Sequence, residues 1–204
     1  MESIFELKKD AILRHIPIIL DDTLETITRY IKQREEEGIY VNRILEIGTA
    51  IGYSSICFAD LLNSYGTIDT IERDPEMIKE AKENIKFVNE SDIYAGKKIN
   101  LIEGDAAEIL PSMNEKYDML FIDANKSKYP EYLKEGLRLL KKDGIIFADN
   151  VLYKGYVMSD YNLHKQRTAV RHLREFIKIA TEDPTLKTDI LEIGDGLAVI
   201  LFQK

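Results

Sequence analysis

Near the end of the chain stands Thr188-Asp-Ile-Leu-Glu-Ile193-Gly194-Asp195-Gly196-Leu197-Ala-Val-Ile-Leu-Phe202. It reads as two strands, Thr188 to Ile193 and Leu197 to Phe202, with only a glycine-rich triplet between them. So short a turn joins antiparallel neighbours, because a parallel crossover needs about a dozen residues or more. The chain upstream has a different rhythm. Apolar runs at 43–48, 67–72, 99–104, 117–123 and 144–150 alternate with segments of helical spacing at 52–62, 74–89, a short one from Ala106, 129–140 and about 163–180. Strands alternating with helices at this spacing predict a parallel sheet covered on both faces. Asp74-Pro75 supplies a cap and a first-turn proline for the 74–89 helix.

Five parallel units closed by an antiparallel hairpin fit a class I, S-adenosylmethionine-dependent methyltransferase sheet of seven strands better than a nicotinamide-binding Rossmann domain. Two further helices precede this core. Ile4, Leu7, Ala11 and Ile12 share one face, and so do Leu24, Ile27 and Ile31 after an Asp21-Asp22-Thr23 start able to cap. The expected organisation is one α/β domain over 1–204, with N-terminal helices at 1–38 and a Rossmann-like core at 43–204.

Composition sets outer bounds. Of 204 residues, 45% are apolar and 31% charged, the balance of a folded globular chain. Cys57 is the single cysteine, so the chain fits a reducing compartment. The apolar stretch Ile12 to Leu20 is broken by Arg14, His15 and Pro17, and acidic Glu2, Glu6 and Asp10 do not make a signal-peptide start. A cytoplasmic location is expected. The formal charge is −8, which excludes a protein that coats nucleic acid generally.

The first strand-to-helix turn is Glu46-Ile-Gly48-Thr-Ala50-Ile-Gly52-Tyr-Ser54. Its glycines allow close backbone approach to a ligand, and the following helix offers free N–H groups. An acid before the turn repels a pyrophosphate and suits a sulfonium or ammonium group. A plain glycine turn is the alternative. Glu72 ends the second strand, 24 residues after Gly48, where an acid commonly binds ribose hydroxyls. Gly104-Asp105-Ala106 can frame an adenine, or Asp105 can cap a helix.

The fourth and fifth strands end in Phe121-Ile-Asp123 and Phe147-Ala-Asp149-Asn150. Two carboxylates and an amide, without nearby Cys or His, suit a hard cation: Mg²⁺, Mn²⁺ or Ca²⁺. Turn chemistry at strand ends is the bland alternative. Lys126, three residues past Asp123, is a candidate base, since a neighbouring cation favours its neutral form.

Glu46-Ile-Gly-Thr-Ala-Ile-Gly-Tyr-Ser54, Phe121-Ile-Asp-Ala124 and Asp149-Asn-Val-Leu-Tyr-Lys-Gly155 resemble the cation-dependent O-methyltransferases of the catechol and caffeoyl-CoA type. The resemblance runs from Ile16-Pro-Ile-Ile19 to the terminal hairpin. It implies cofactor contacts at Ile18, Glu46, Gly48, Ser54, Glu72, Asp105, Ala106 and Asp123. It implies metal ligation by Asp123, Asp149 and Asn150, a catalytic Lys126, and a homodimer for which the N-terminal helices are candidate interface. The further acid with which catechol enzymes orient substrate has no counterpart identified here.

Within the family, Thr49 to Ser54 and Asn150 to Val157 look most like the branch that converts wobble 5-hydroxyuridine of tRNA to 5-methoxyuridine. A 5-hydroxyl beside a 4-carbonyl is a two-oxygen chelate like a catechol. Residues 151–178 carry Lys154, Lys165, Arg167, Arg171, Arg174 and Lys178 against Asp160 and Glu175, a local net charge of +4. His164 and His172 also fall here, and Tyr153, Tyr156 and Tyr161 interleave with the charge. Basic groups for phosphate and rings for stacking suit the single-stranded anticodon loop. Lys154, Tyr156, Lys165, Arg167, Arg171 and Arg174 are the candidate RNA contacts. A basic helix face with a lid over a small phenolic or catechol substrate explains the same pattern, and a non-catalytic nucleotide-binding domain is a third reading.

Overall fold

The computed structural model describes residues 4–94, 96–159 and 166–202. Backbone contacts divide the chain into two compact units, Met1–Ala106 and Ala107–Lys204.

In the first unit, α1 (Ile4–Leu13) and α2 (Asp21–Glu36) precede β1 (Arg43–Ile47), α3 (Tyr53–Ala59), β2 (Thr67–Glu72), α4 (Pro75–Asn84), α5 (Lys86–Asn89) and β3 (Lys98–Glu103). The strands lie in the order β3-β2-β1, all parallel, with Ile44 opposite Ile68 and Ile68 opposite Ile99. Ile44, Leu45 and Ile47 are wholly buried, as a parallel strand covered on both faces requires. Asp74 caps α4 as expected, accepting from the N–H groups of Glu76 and Met77 at 2.9 and 3.2 Å with Pro75 in the first turn. The expected 74–89 helix is divided by an irregular turn at Ile85.

Two N-terminal expectations need correction. Leu20, not the Asp21-Asp22-Thr23 run, is the N-cap of α2, and no side chain caps it. Asp22 bonds the adjacent Thr23 N–H at 2.8 Å, and Asp21 pairs with Lys8 of α1 at 2.5 Å. Only Leu7 and Ala11 of the expected α1 face are buried; Ile12 is 57% exposed.

The helix α6 (Ala106–Ile109) begins where the first unit ends. The second unit then has β4 (Tyr117–Ile122), a 3-10 turn at Lys126–Lys128, α7 (Tyr129–Leu139), β5 (Leu140–Ala148), α8 (Arg167–Glu182), β6 (Leu186–Leu191) and β7 (Leu197–Phe202). Its strands run in the order β4-β5-β7-β6. Tracts β4 and β5 are parallel, and β7 is antiparallel to both β5 and β6. The reversed last strand is therefore as the terminal turn predicts.

The boundaries differ in ways that physical chemistry explains. The strand expected at 188–193 occupies 186–191, because Leu186 is buried opposite Phe202 and five residues, not three, form the turn. Strand β5 begins at Leu140, well before Gly144, because Leu140 pairs with Tyr117 and Lys141 neutralises Asp118 at 2.8 Å. The apolar pattern hides this: Lys141-Lys142-Asp143 reads as a loop. The helix expected from about Leu163 begins at Arg167 among the described residues, while residues 160–165 lie outside them.

Candidate functional site

Glu46 lies in β1 and is wholly buried. A carboxylate there needs donors. It accepts from the hydroxyls of Ser54 at 2.5 Å and Thr70 at 2.6 Å, and from that of Ser55. Thr70 has one proton, and it goes to Glu46. The 2.6 Å contact between Thr49 and Thr70 is then donated by Thr49. Glu46 thus ties the glycine turn to α3 and β2.

The turn itself is left-handed at Gly48, Ala50 and Gly52, with φ of 102°, 46° and 85°. A Cβ on Gly52 would come within 3.3 Å of the Ile85 side chain. Asn84 on α4 holds the turn from outside by donating to the Ile51 carbonyl at 2.8 Å. Glu72 accepts from the Ala50 N–H at 2.8 Å and from the N–H groups of Arg73 and Asp74 at 2.9 Å. Asp105 pairs with Arg73 at 3.0 Å, and Ala106 is buried at the start of α6. Glu46, Gly48, Ser54 and Glu72 are thus drawn into one hydrogen-bonded turn. Ile18 lies half-buried in the segment between α1 and α2.

In the second unit the candidate ligands stand just past two paired strand ends. Ile122 is opposite Ala148, so Asp123 and Asp149 follow on neighbouring parallel strands. Asp149 is buried and Asp123 half-buried. Burial, then the nearby Asp123 charge, pushes the Asp149 carboxyl up to about 7. Burial raises Asp123 too, opposed by the Lys126 ammonium. Lys126 Nζ stands 3.7 Å from Asp123 Oδ1 and 5.9 Å from the centre of the Tyr153 ring. Tyr153 meets Tyr156 edge-on at 5.9 Å.

Two crowded acids, each resisting ionisation, fit a divalent cation, which removes their repulsion. Asn150 follows Asp149 directly, and its backbone N–H donates to Asp149 Oδ1 at 2.7 Å. Among the described residues, no group of three or more His, Cys, Asp or Glu side chains that could hold a metal occurs.

Sequence reading missed Tyr129. Its wholly buried hydroxyl donates to the Asp149 carbonyl at 2.8 Å and lies 3.3 Å from the Ile122 carbonyl, bracing both strand ends. The available signal was a tyrosine opening the helix that follows a strand-end acid. Also missed was the hairpin turn as a support. The Asp195 carbonyl accepts from Leu152 and Tyr153, and that of Gly196 from Val151.

The candidate RNA contacts divide. Lys154, Arg167 and Arg171 are exposed, and Tyr156 is half-buried. Arg174, also exposed, lies on the same helix but is already engaged: its guanidinium donates to the carbonyls of Ser159 at 2.5 Å, Val157 at 2.9 Å and Tyr156 at 3.4 Å. Lys165, Tyr161 and His164 lie outside the described residues.

Residues 39–203 match the O-methyltransferase family model. A catechol O-methyltransferase of Niastella koreensis is 33% identical over 167 residues, covering 78% of this chain and 72% of the relative. A caffeoyl-CoA O-methyltransferase of Populus kitakamiensis is 32% identical over 169 residues, 77% of this chain and 68% of its own. Among solved structures, a candidate caffeoyl-CoA O-methyltransferase from Staphylococcus aureus superposes with a TM-score of 0.83 at 34% identity, covering 100% of this chain and 93% of the other. An O-methyltransferase from Bacillus cereus, solved with SAH, shares the fold with a TM-score of 0.79 at 24% identity, covering 98% and 90%. With its parallel strands, antiparallel terminal hairpin and glycine turn, the chain belongs to the O-methyltransferase family and has the α/β class I fold of S-adenosylmethionine-dependent enzymes.

Proposed function

We propose that the protein moves the methyl group of S-adenosylmethionine to one oxygen of a vicinal pair, with a divalent cation held by Asp123, Asp149 and Asn150. The observation that carries this reading is the pair of acids at neighbouring strand ends with Lys126 Nζ 3.7 Å from one of them. The first unit's turn, with Glu46, Gly48, Ser54, Glu72, Asp105 and Ala106, is the candidate binding site for S-adenosylmethionine. When bound, the cation lowers the pKa of the acceptor hydroxyl. Lys126, as the neutral amine, takes the hydroxyl proton, the acceptor oxygen bonds the methyl carbon, and the carbon–sulfur bond breaks to leave neutral S-adenosylhomocysteine. The Tyr153 and Tyr156 rings supply a face on which the acceptor ring stacks.

For the acceptor we propose 5-hydroxyuridine at the tRNA wobble position. The support is the exposed basic trio Lys154, Arg167 and Arg171, in the segment that also carries the tyrosines. A small catechol or phenol is the second reading, favoured by the activities named for the relatives. Labelled S-adenosylmethionine with Mg²⁺, offered tRNA bearing 5-hydroxyuridine or catechol, separates the two. Label in tRNA supports the lead; label in catechol alone overturns it in favour of the second.

A further inference from the structure

The segment after the metal pair, 150–159, has a strained backbone held in part from outside itself. Asn150, Tyr153, Lys154 and Gly155 have φ of 56°, 42°, 56° and 77°. Three of these carry side chains, and left-handed side-chain-bearing residues persist only where the surroundings enforce them. The supports stand at its two ends. The start is fixed by the hairpin carbonyls of Asp195 and Gly196, which accept from residues 151–153 at 2.9 to 3.1 Å. The end is fixed by Arg174, whose guanidinium reaches the carbonyls of Tyr156, Val157 and Ser159. Arg174 belongs to α8, and the same helix packs against the Lys126–Lys128 turn. One helix therefore braces both the candidate base and the aromatic segment facing it.

We infer that Arg174 is a positioning residue: by fixing the carbonyls of Tyr156, Val157 and Ser159 it holds Tyr156, and through their ring contact Tyr153 beside Lys126, for the acceptor ring. It acts through the segment it fixes and does not contact RNA phosphate. The inference rests on assigning the acceptor to Asp123, Lys126, Asp149 and Asn150, but the clamp itself is measurable without any substrate.

The test compares full-length wild type with Arg174→Gln and Arg174→Lys, using hydrogen exchange of the amides in 151–159. Tyr156, Val157 and Met158 N–H groups bond within the segment, at 3.0 to 3.4 Å, and report its order. Losing a charged donor to several carbonyls should speed their exchange about ten- to a hundredfold. Arg174→Lys, keeping charge but not the planar fork, should recover part of that loss. Acceptor KM should rise by a similar factor, with S-adenosylmethionine KM and the salt slope of tRNA binding unchanged. Exchange identical to wild type overturns the clamp, and a salt slope reduced by about one at unchanged exchange makes Arg174 a phosphate contact instead. If neither acceptor is methylated by wild type, the functional reading fails, while exchange still decides the clamp.

Discussion

At the residue scale, the chemistry centres on Asp149. Its carboxyl is pushed up to about 7, first by burial and then by Asp123. The folded pKa lies above the ordinary carboxylate value, so protonation favours the folded state. That contribution is complete below about pH 4 and is lost as pH rises toward 7, a swing of at most about 4 kcal/mol. Thermal melts in chelator should therefore show Asp149→Asn gaining stability relative to wild type between pH 5 and 8; parallel pH profiles would contradict this. Added Mg²⁺ should raise the wild-type Tm more at pH 8 than at pH 5, because cation binding displaces the Asp149 proton. An equal increment at both pH values would remove the link between that acid and the metal.

At the element scale, the ends of β4 and β5 act as one platform because Tyr129 braces them. Tyr129→Phe keeps the ring against Phe176 but removes the donor to the Asp149 carbonyl, at a cost of about 1–3 kcal/mol. A denaturant midpoint unchanged within error would refute that brace. Gly196 has φ of 94°, and a Cβ there would collide with Leu152, so Gly196→Ala should loosen 151–153 as well as destabilise the hairpin. Much of this platform is legible in sequence: Asp123, Asp149 and Asn150 stand where apolar runs stop. The β7 reversal is legible for the same reason, since a short glycine turn allows one strand direction. What sequence hides is long-range. Nothing local says that Arg174 bonds carbonyls fifteen or more residues away, or that Leu140 rather than Gly144 begins β5. Hydrophobic period cannot see a strand whose first turn is stabilised by a Lys–Asp pair. Glu46 was legible as an acid before a glycine turn, but its three hydroxyl partners come from α3 and β2 and emerge only on folding.

At the scale of the whole molecule, charge is unevenly shared. The chain carries −8 in all, yet +4 over residues 151–178 and so −12 over the rest. An acidic protein with one basic stretch can grip a single loop without coating RNA. If it does, Arg167→Gln and Arg171→Gln should each reduce the salt slope of tRNA binding by about one; unchanged slopes would take those residues out of the interface. No helix among the described residues is long and apolar enough to cross a membrane. Beneath the choice of acceptor lies one claim, that Asp123, Asp149 and Asn150 hold a cation required for methyl transfer. Its most direct test is transfer of label from S-adenosylmethionine to tRNA bearing 5-hydroxyuridine, and in parallel to catechol, in Mg²⁺, in chelator, and in chelator with Mg²⁺ restored. Transfer to one acceptor should fall to background in chelator, return with Mg²⁺ and be absent in Asp149→Ala at every Mg²⁺ concentration. Full transfer in chelator would contradict that claim.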